Sequence, residues 1–190
     1  MKKLALHICC ATCAAYVLEQ LRVTYDVTAL YYNPNIYPAD EYQRRFEESR
    51  DYCKKHGIHF IELLPDQDRW FVLTKGHEQD PERGERCTMC YRMRMEKTAQ
   101  YAKEHGYNVF GTDLSISPHK DAVRLNSIGR VLEQEYGITY LMADFKKQDG
   151  FKKAMELSRN ECFYRQNYCG CVYSMQALNS KTEIRNNIKI

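Results

Sequence analysis

The chain contains no apolar run approaching the ~18 residues that a membrane-spanning helix requires, so no membrane span is expected. The short apolar stretch after Lys2 and Lys3 leads straight into cysteines rather than into a small-residue cleavage site, and no signal peptide is expected either. Glycine is sparse, nine in 190 residues, and none stands in the loop after that first apolar stretch. A nucleotide enzyme with a glycine-rich phosphate cradle is therefore disfavoured. No two histidines share a metal-ligand spacing, which leaves His7, His56, His59, His77 and His105 as structural or surface residues. There is no internal repeat and no low-complexity tract. A strong excess of one charge is also missing: 28 basic against 25 acidic side chains gives +3, which permits RNA binding without announcing it.

What the chain has in plenty is cysteine. Nine thiols without a secretory signal point to a reducing, cytoplasmic setting, where disulfides seldom form and clustered cysteines serve metal or redox chemistry. Hydrophobic residues at 44% and charged residues at 28% are ordinary for a globular protein, and 190 residues suit one domain spanning 1–190.

Five short apolar, β-branched or aromatic runs, at 3–8, 27–32, 58–64, 107–112 and 138–142, are candidate strands. Segments with helical spacing lie between them, at 13–22, 38–56, about 88–105 and 120–136. Gly57, Gly106 and Gly137 each follow such a segment, where a left-handed C-terminal cap favours glycine. Strands alternating with helices predict an α/β class: a mainly parallel five-stranded sheet flanked by helices, Rossmann-like or HUP-like. Beyond it a C-terminal helical appendage carries cysteines, with a short helix at 151–159, a loop at 160–171 and a final helix at 172–180. The polar stretch 74–86 predicts an exposed loop. Asn33, Pro34 and Asn35 predict a turn after the second strand, with Pro38 suited to the first turn of the next helix.

Seven of the nine cysteines form three clusters: Cys9, Cys10 and Cys13 after the first strand; Cys87 and Cys90 at the start of a helix; Cys169 and Cys171 around Gly170. In an open α/β sheet, ligands collect beyond the carboxyl ends of the strands, where the first cluster lies. A helix N-terminus favours the thiolate, which is the metal-binding form. CxxC spacing puts two sulfurs on one helical turn, and Gly170 lets Cys169 and Cys171 converge in a tight turn. Seven ligands exceed the four that one zinc or one four-cysteine cluster needs, so a second metal or free active-site thiols should follow. A structural zinc site and a thioredoxin-like dithiol stand as alternatives, the first weakened by the adjacency of Cys9 and Cys10. Cys53 reads as a core or surface residue, and Cys162 is ambiguous.

The segments LHICCATC at 6–13, YNPNIYPADEYQRR at 32–45, ERCTMCYRMRMEKTA at 85–99, LSISPHK at 114–120 and YRQNYCGCVYS at 164–174 together resemble the QueH-type epoxyqueuosine reductases. The resemblance implies a cobalamin-independent oxidoreductase that removes the epoxide oxygen of epoxyqueuosine in tRNA, the last step of queuosine synthesis. It implies a [4Fe-4S] cluster beside an additional iron ion, and an external electron donor. Carried over residue by residue, it puts Cys9, Cys10, Cys13, Cys87, Cys90, Cys169 and Cys171 at the metal site. Losing an epoxide oxygen consumes two electrons and two protons and releases water. Asp113, Tyr164, Tyr168 and His119 are candidate proton donors, with Asp113 the catalytic candidate or, through its carboxylate, an iron ligand. Arg44, Arg45, Arg92, Lys120 and Arg165, with Arg94, Lys97 and Arg124, are candidate contacts to the tRNA backbone. Tyr32, Tyr37 and Tyr42 could stack on unpaired bases, while Tyr31 fits the core better. A zinc-stabilised RNA-binding module without catalysis is the competing reading.

Overall fold

The computed structural model describes residues 1–177. Five strands, β1 (Lys2–Ile8), β2 (Tyr25–Tyr31), β3 (His59–Glu62), β4 (Val109–Thr112) and β5 (Thr139–Tyr140), form one sheet in the order β3-β2-β1-β4-β5. Every pairing is parallel, as a chain that alternates strand and helix requires. Helices α1 (Ala11–Leu21), α2 (Ala39–Lys55), α3 (Gln67–Leu73), α4 (Glu85–Glu104), α5 (Ala122–Tyr136) and α6 (Gly150–Asn160) accompany the sheet. A 3-10 turn, Leu114–Ile116, follows β4.

The two faces of β1 separate two cores. Leu4, Leu6 and Ile8 pack with Val27, Ala29 and Tyr31 against α1, α2 and Ala154 of α6. Ala5, on the opposite face, packs with Leu30 and Phe110 against Tyr91, Met95, Ala99, Leu125 and Leu132 of α4 and α5. This is the period-two alternation of a strand covered on both sides. His7 shares the second face and is fully buried there. A third cluster, Tyr32, Trp70, Cys90, Met93 and Cys171, fastens the C-terminal segment onto α3 and α4.

All five strands and five of the helices lie where the sequence predicts them, and Gly57, Gly106 and Gly137 hold positive φ of 64°, 69° and 68°. Pro38 stands at the cap of α2 rather than inside its first turn. Helix α3 was not expected. Its apolar run Trp70 to Leu73 has no clear period, but Asp66 caps it by accepting from the Arg69 amide at 3.0 Å, and Trp70 buries against the third cluster. The 74–86 stretch is irregular through Gly84, yet its ends Thr74 and Arg86 are buried, the latter inside α4. Of the helix predicted over 172–180, residues 172–177 are helical, and 178–180 lie outside the described residues.

Candidate metal centre

The chain leaves the sheet after Ile8, turns through Cys9, and starts α1 with Cys10 at its cap and Cys13 in its first turn. The three sulfurs lie within 4.8 Å of one another. They are unbridged thiols, with Cys9 and Cys10 3.8 Å apart. Cys9 packs toward the α4 side of the sheet and Cys13 toward the α1 side, so the triad straddles the sheet's carboxyl end. Hydrogen bonds from the Cys13 and Cys9 thiols hold the Cys10 sulfur as thiolate, well below the usual range, against the cost of burial. The Arg45 guanidinium and the Gln166 amide, 3.2 Å away, add to the effect. Keeping their protons on Cys10 pushes the thiols of Cys9 and Cys13 well up.

Asp113 follows β4 and is fully buried against the triad. Its amide donates to His7 O at 3.0 Å, and its Oδ2 accepts from the Cys9 amide at 3.2 Å. Its Oδ1 has no hydrogen-bond partner. Burial, with the charge of Cys10, pushes the carboxyl up to about 8. A buried carboxyl oxygen without a partner beside a thiolate fits a cation-binding site.

The second group comes from two distant segments. Cys87 and Cys90 lie in the opening turns of α4, while Cys169 and Cys171 flank Gly170, whose φ of 106° makes their tight turn. Cys90, Cys169 and Cys171 feel one another's charge; burial pushes Cys90 up to about 11 and also raises Cys171. Cys169 moves the other way: burial opposes its thiolate, but Lys120, whose Nζ donates to the sulfur at 2.9 Å, outweighs it. Among the described residues only the first group gathers three ligand atoms within 4.8 Å. Cys169 nevertheless joins the two groups. It lines a cavity of about 320 Å3 together with Cys9 and Cys13, and an adjoining one of about 630 Å3 together with Cys87 and Cys171.

Arg45, Arg94 and Lys120 are buried cations near these sulfurs, as is Arg86 beside Cys171. Arg45 donates from Nε to Glu41 at 2.7 Å and from Nη1 to Cys169 O at 3.3 Å, and Tyr164 donates to the other Glu41 oxygen at 3.1 Å. Arg94 donates to Asn33 Oδ1 at 2.6 Å and to His7 Nε2 at 3.2 Å. Among the described residues it makes no salt bridge to a carboxylate within 4.0 Å. Burial opposes its charge, and the sulfurs of Cys90, Cys9 and Cys169 together with Asp113 sustain it. Burial and that same guanidinium hold His7 neutral. His7 Nε2 lies 3.2 Å from both Arg94 Nε and Tyr32 O, and its Nδ1 lies 3.0 Å from Thr112 Oγ1. Lys120 is 8% exposed.

Of the predicted RNA contacts, Arg45 is 2%, Arg94 3% and Lys120 8% exposed; each lies close to the sulfurs, and Arg45 and Lys120 line the smaller cavity. Arg92 is taken up by a two-pronged pair with Glu135 at 2.8 and 2.9 Å, and Arg124 by backbone oxygens of the 83–84 turn. Arg44 and Arg165 remain exposed, the first over the Tyr164 ring and the second on the rim of the smaller cavity. Tyr42 is buried against Tyr31 and Tyr32 is buried in the third cluster with Trp70, while Tyr37 alone of that group is exposed. Tyr168 and His119 line the smaller cavity with Phe151 and Met155. Cys53 is a core residue, and Cys162 is exposed at φ 57°. The sequence reading missed Glu41 and Gln166, took His7 as a structural or surface residue, and gave Asn33 only as part of a turn. For His7 the signal was present: it stands two residues before Cys9 on the same side of β1.

A sequence model of the family described as "Epoxyqueuosine reductase QueH" matches residues 4–177. The epoxyqueuosine reductase QueH of Histophilus somni (strain 129Pt) is 44% identical over 190 residues, covering 99% of this chain and 78% of that protein. That of Haemophilus influenzae (strain ATCC 51907 / DSM 11121 / KW20 / Rd) is 44% identical over 183 residues, 95% of this chain and 75% of the relative. That of Thermotoga maritima (strain ATCC 43589 / DSM 3109 / JCM 10099 / NBRC 100826 / MSB8) is 32% identical over 179 residues, 92% and 91% of the two chains. Among solved structures, the U34-tRNA thiolase NcsA from Methanococcus maripaludis with its [4Fe-4S] cluster has a TM-score of 0.56 at 14% identity, covering 98% of this chain and 67% of that one. A predicted subunit of tRNA methyltransferase from Methanocaldococcus jannaschii also has a TM-score of 0.56, at 13% identity over 82% of this chain and 75% of that one. At such identities the likeness is one of fold, and it agrees with the HUP-like α/β class expected from the sequence.

Proposed function

This chain belongs to the QueH epoxyqueuosine reductase family, and on that premise we propose that its sulfur-lined crevice removes the epoxide oxygen of epoxyqueuosine in tRNA with electrons passed through cysteine-held iron. The chain is an oxidoreductase of queuosine biosynthesis that works without cobalamin. The reaction turns the epoxide into an alkene: two electrons and two protons enter, both carbon–oxygen bonds to the epoxide oxygen break, and one water leaves. Among the described residues no helix is long and apolar enough to cross a membrane. A cytoplasmic setting, where tRNA and reduced thiols coexist, fits the proposal.

The observation that carries the metal reading is the triad itself: three sulfurs within 4.8 Å of one another, Cys9 and Cys13 lining a cavity and Cys10 held as thiolate, with an unpartnered oxygen of Asp113 beside them. The donor set fits soft, thiolate-ligated iron. In this reading Cys9, Cys10, Cys13, Cys87, Cys90, Cys169 and Cys171 hold a [4Fe-4S] cluster and a further iron ion, which when bound supply single-electron relay and a Lewis acid for the oxygen. The remaining work belongs to side chains. Phe151 and Met155 offer an apolar wall to the carbocycle, Tyr168 and His119 reach the same cavity as proton carriers, and Asp113 is the catalytic carboxyl. Arg44 and Arg165 meet tRNA phosphates, and Tyr37 offers a stacking face.

Anaerobic reconstitution with iron and sulfide, followed by assay on epoxyqueuosine-containing tRNA with a chemical reductant, tests the proposal. The expected outcome is coloured protein containing iron and acid-labile sulfide that yields queuosine. Colourless protein holding only zinc and binding tRNA without converting it would instead establish the zinc-stabilised RNA-binding module. Replacing Asp113 with Asn separates its two roles: lost turnover at unchanged iron content assigns it to proton transfer, and lost iron assigns it to ligation.

A further inference from the structure

Lys120 is the cation that touches a site sulfur directly. Its Nζ lies 2.9 Å from Cys169 Sγ, 3.5 Å from Glu82 Oε1 and 5.7 Å from the centre of the Tyr91 ring. The backbone beneath it is fixed: its amide donates to Ser117 O at 3.1 Å, and Lys146 Nζ donates to its carbonyl at 3.2 Å. Burying an ammonium costs several kcal/mol unless an anion repays it. Glu82, 46% exposed and at the outer limit of contact, is too wet and too distant to be that anion. The partner placed to stabilise the charge is the sulfur.

Resting on the reading that Cys169 ligates the iron centre, we propose that Lys120 is a positioning residue that donates a charged N–H···S hydrogen bond to Cys169 and thereby raises the reduction potential of that centre. Reduction adds a negative charge to a group already surrounded by thiolates. A fixed positive charge at hydrogen-bond distance in a poorly solvated site stabilises the reduced form more than the oxidised one. Hydrogen bonds to ligating sulfurs are also among the determinants of iron-sulfur potentials. Arg94 acts on both groups from below, but through His7 and Asn33, without a hydrogen bond to sulfur. Lys120 therefore offers the more direct control, at the one cysteine that faces both cavities.

The test is a potentiometric titration of reconstituted wild-type protein and of Lys120→Arg, Lys120→Gln and Lys120→Met, with the reduced centre followed by electron paramagnetic resonance and iron and sulfide measured in each. The midpoint should fall in the order Arg, Gln, Met. For Met the oxidised-to-reduced ratio at fixed poise should move about tenfold, which is about 59 mV for a one-electron couple. Gln keeps an N–H donor without the charge and carries the comparison if the Met variant does not assemble the centre. Midpoints of Gln and Met equal to wild type at equal iron and sulfide would overturn the proposal alone. A wild-type protein that takes up no iron would overturn it together with the functional reading on which it rests.

Discussion

Cys9, Cys10 and Cys13 owe their closeness to local chain geometry, whereas Cys87, Cys90, Cys169 and Cys171 owe theirs to the docking of a distant segment. In the first group the end of β1 and the first turn of α1 fix all three sulfurs, and the group stands within 4.8 Å without a sulfur from elsewhere. In the second, α4 supplies two sulfurs while 161–171, which has no regular structure, supplies the others. That segment is held by the Tyr37 amide on Gly170 O at 2.8 Å, by Tyr168 on Tyr37 O at 2.9 Å, by Arg45, and by Val172 and Tyr173 packing near Trp70. One group is preorganised by secondary structure and the other by tertiary contacts. Disturbing the first should release the metal that the triad holds; disturbing the second should loosen binding in proportion to the docking energy lost.

Cys10→Ser is therefore the most damaging change expected. It removes the thiolate on which the two neighbouring thiols converge, and iron retained after anaerobic reconstitution should fall by at least half. Activity should fall by more than the roughly 10–100-fold that losing an outer-shell partner costs. Cys171→Ser should leave triad-bound iron in place. Equal iron losses in the two variants, by elemental analysis, would erase the distinction between the groups.

Arg45→Met strikes at the joint between them, because its guanidinium lies near Cys10 and also binds Cys169 O. Breaking its buried pair leaves Glu41 uncompensated, a loss of roughly 3–5 kcal/mol. In a chain of this length that lowers Tm by on the order of 10 °C, readable by thermal denaturation of the apo protein. A Tm within a degree or two of wild type would mean that Glu41 is repaid elsewhere.

A milder and more selective change is Gly170→Ala. The residue sits at φ 106°, and an added Cβ would lie 2.9 Å from Arg45 Nη1. The expected cost is about 1–3 kcal/mol, paid in the docking of 169–171, with the triad's share of the iron unchanged. Iron loss confined to the triad would reverse the assignment of this turn to the second group.

The same contrast explains what could be read in advance. Regular elements were legible because their signals are local: apolar runs for the strands, helical spacing between them, and Gly57, Gly106 and Gly137 at the helix ends. The cysteines were legible as clusters for the same reason. What escaped was whatever depends on long-range packing. Arg45, Arg94 and Lys120 look like surface cations in a motif-rich sequence, and nothing nearby says that each turns inward; their acceptors, Glu41, Asn33 and Cys169, become meaningful only when α2, the loop after β2 and the C-terminal segment converge. Helix α3 escaped because its apolar residues, Trp70 to Leu73, stand consecutively and show no clear period.

Arg44 and Arg165 give the smallest effect and the finest test of where RNA meets the crevice. Both are exposed, and Arg44 lies 4.5 Å above the Tyr164 ring, close to the rim that Arg165 helps to form. Replacing either with Ala touches no buried contact, so stability should stay within about 0.5 kcal/mol. If each neutralises one phosphate of a single-stranded loop, each replacement should weaken tRNA binding and reduce the slope of log K against log salt by about 0.7. Arg92→Ala, which frees Glu135 on the outer side of α4, should leave the slope alone. A slope that responds to Arg92 but not to Arg44 or Arg165 would move the RNA away from the segment that delivers Cys169, and would separate substrate docking from the assembly of the second sulfur group.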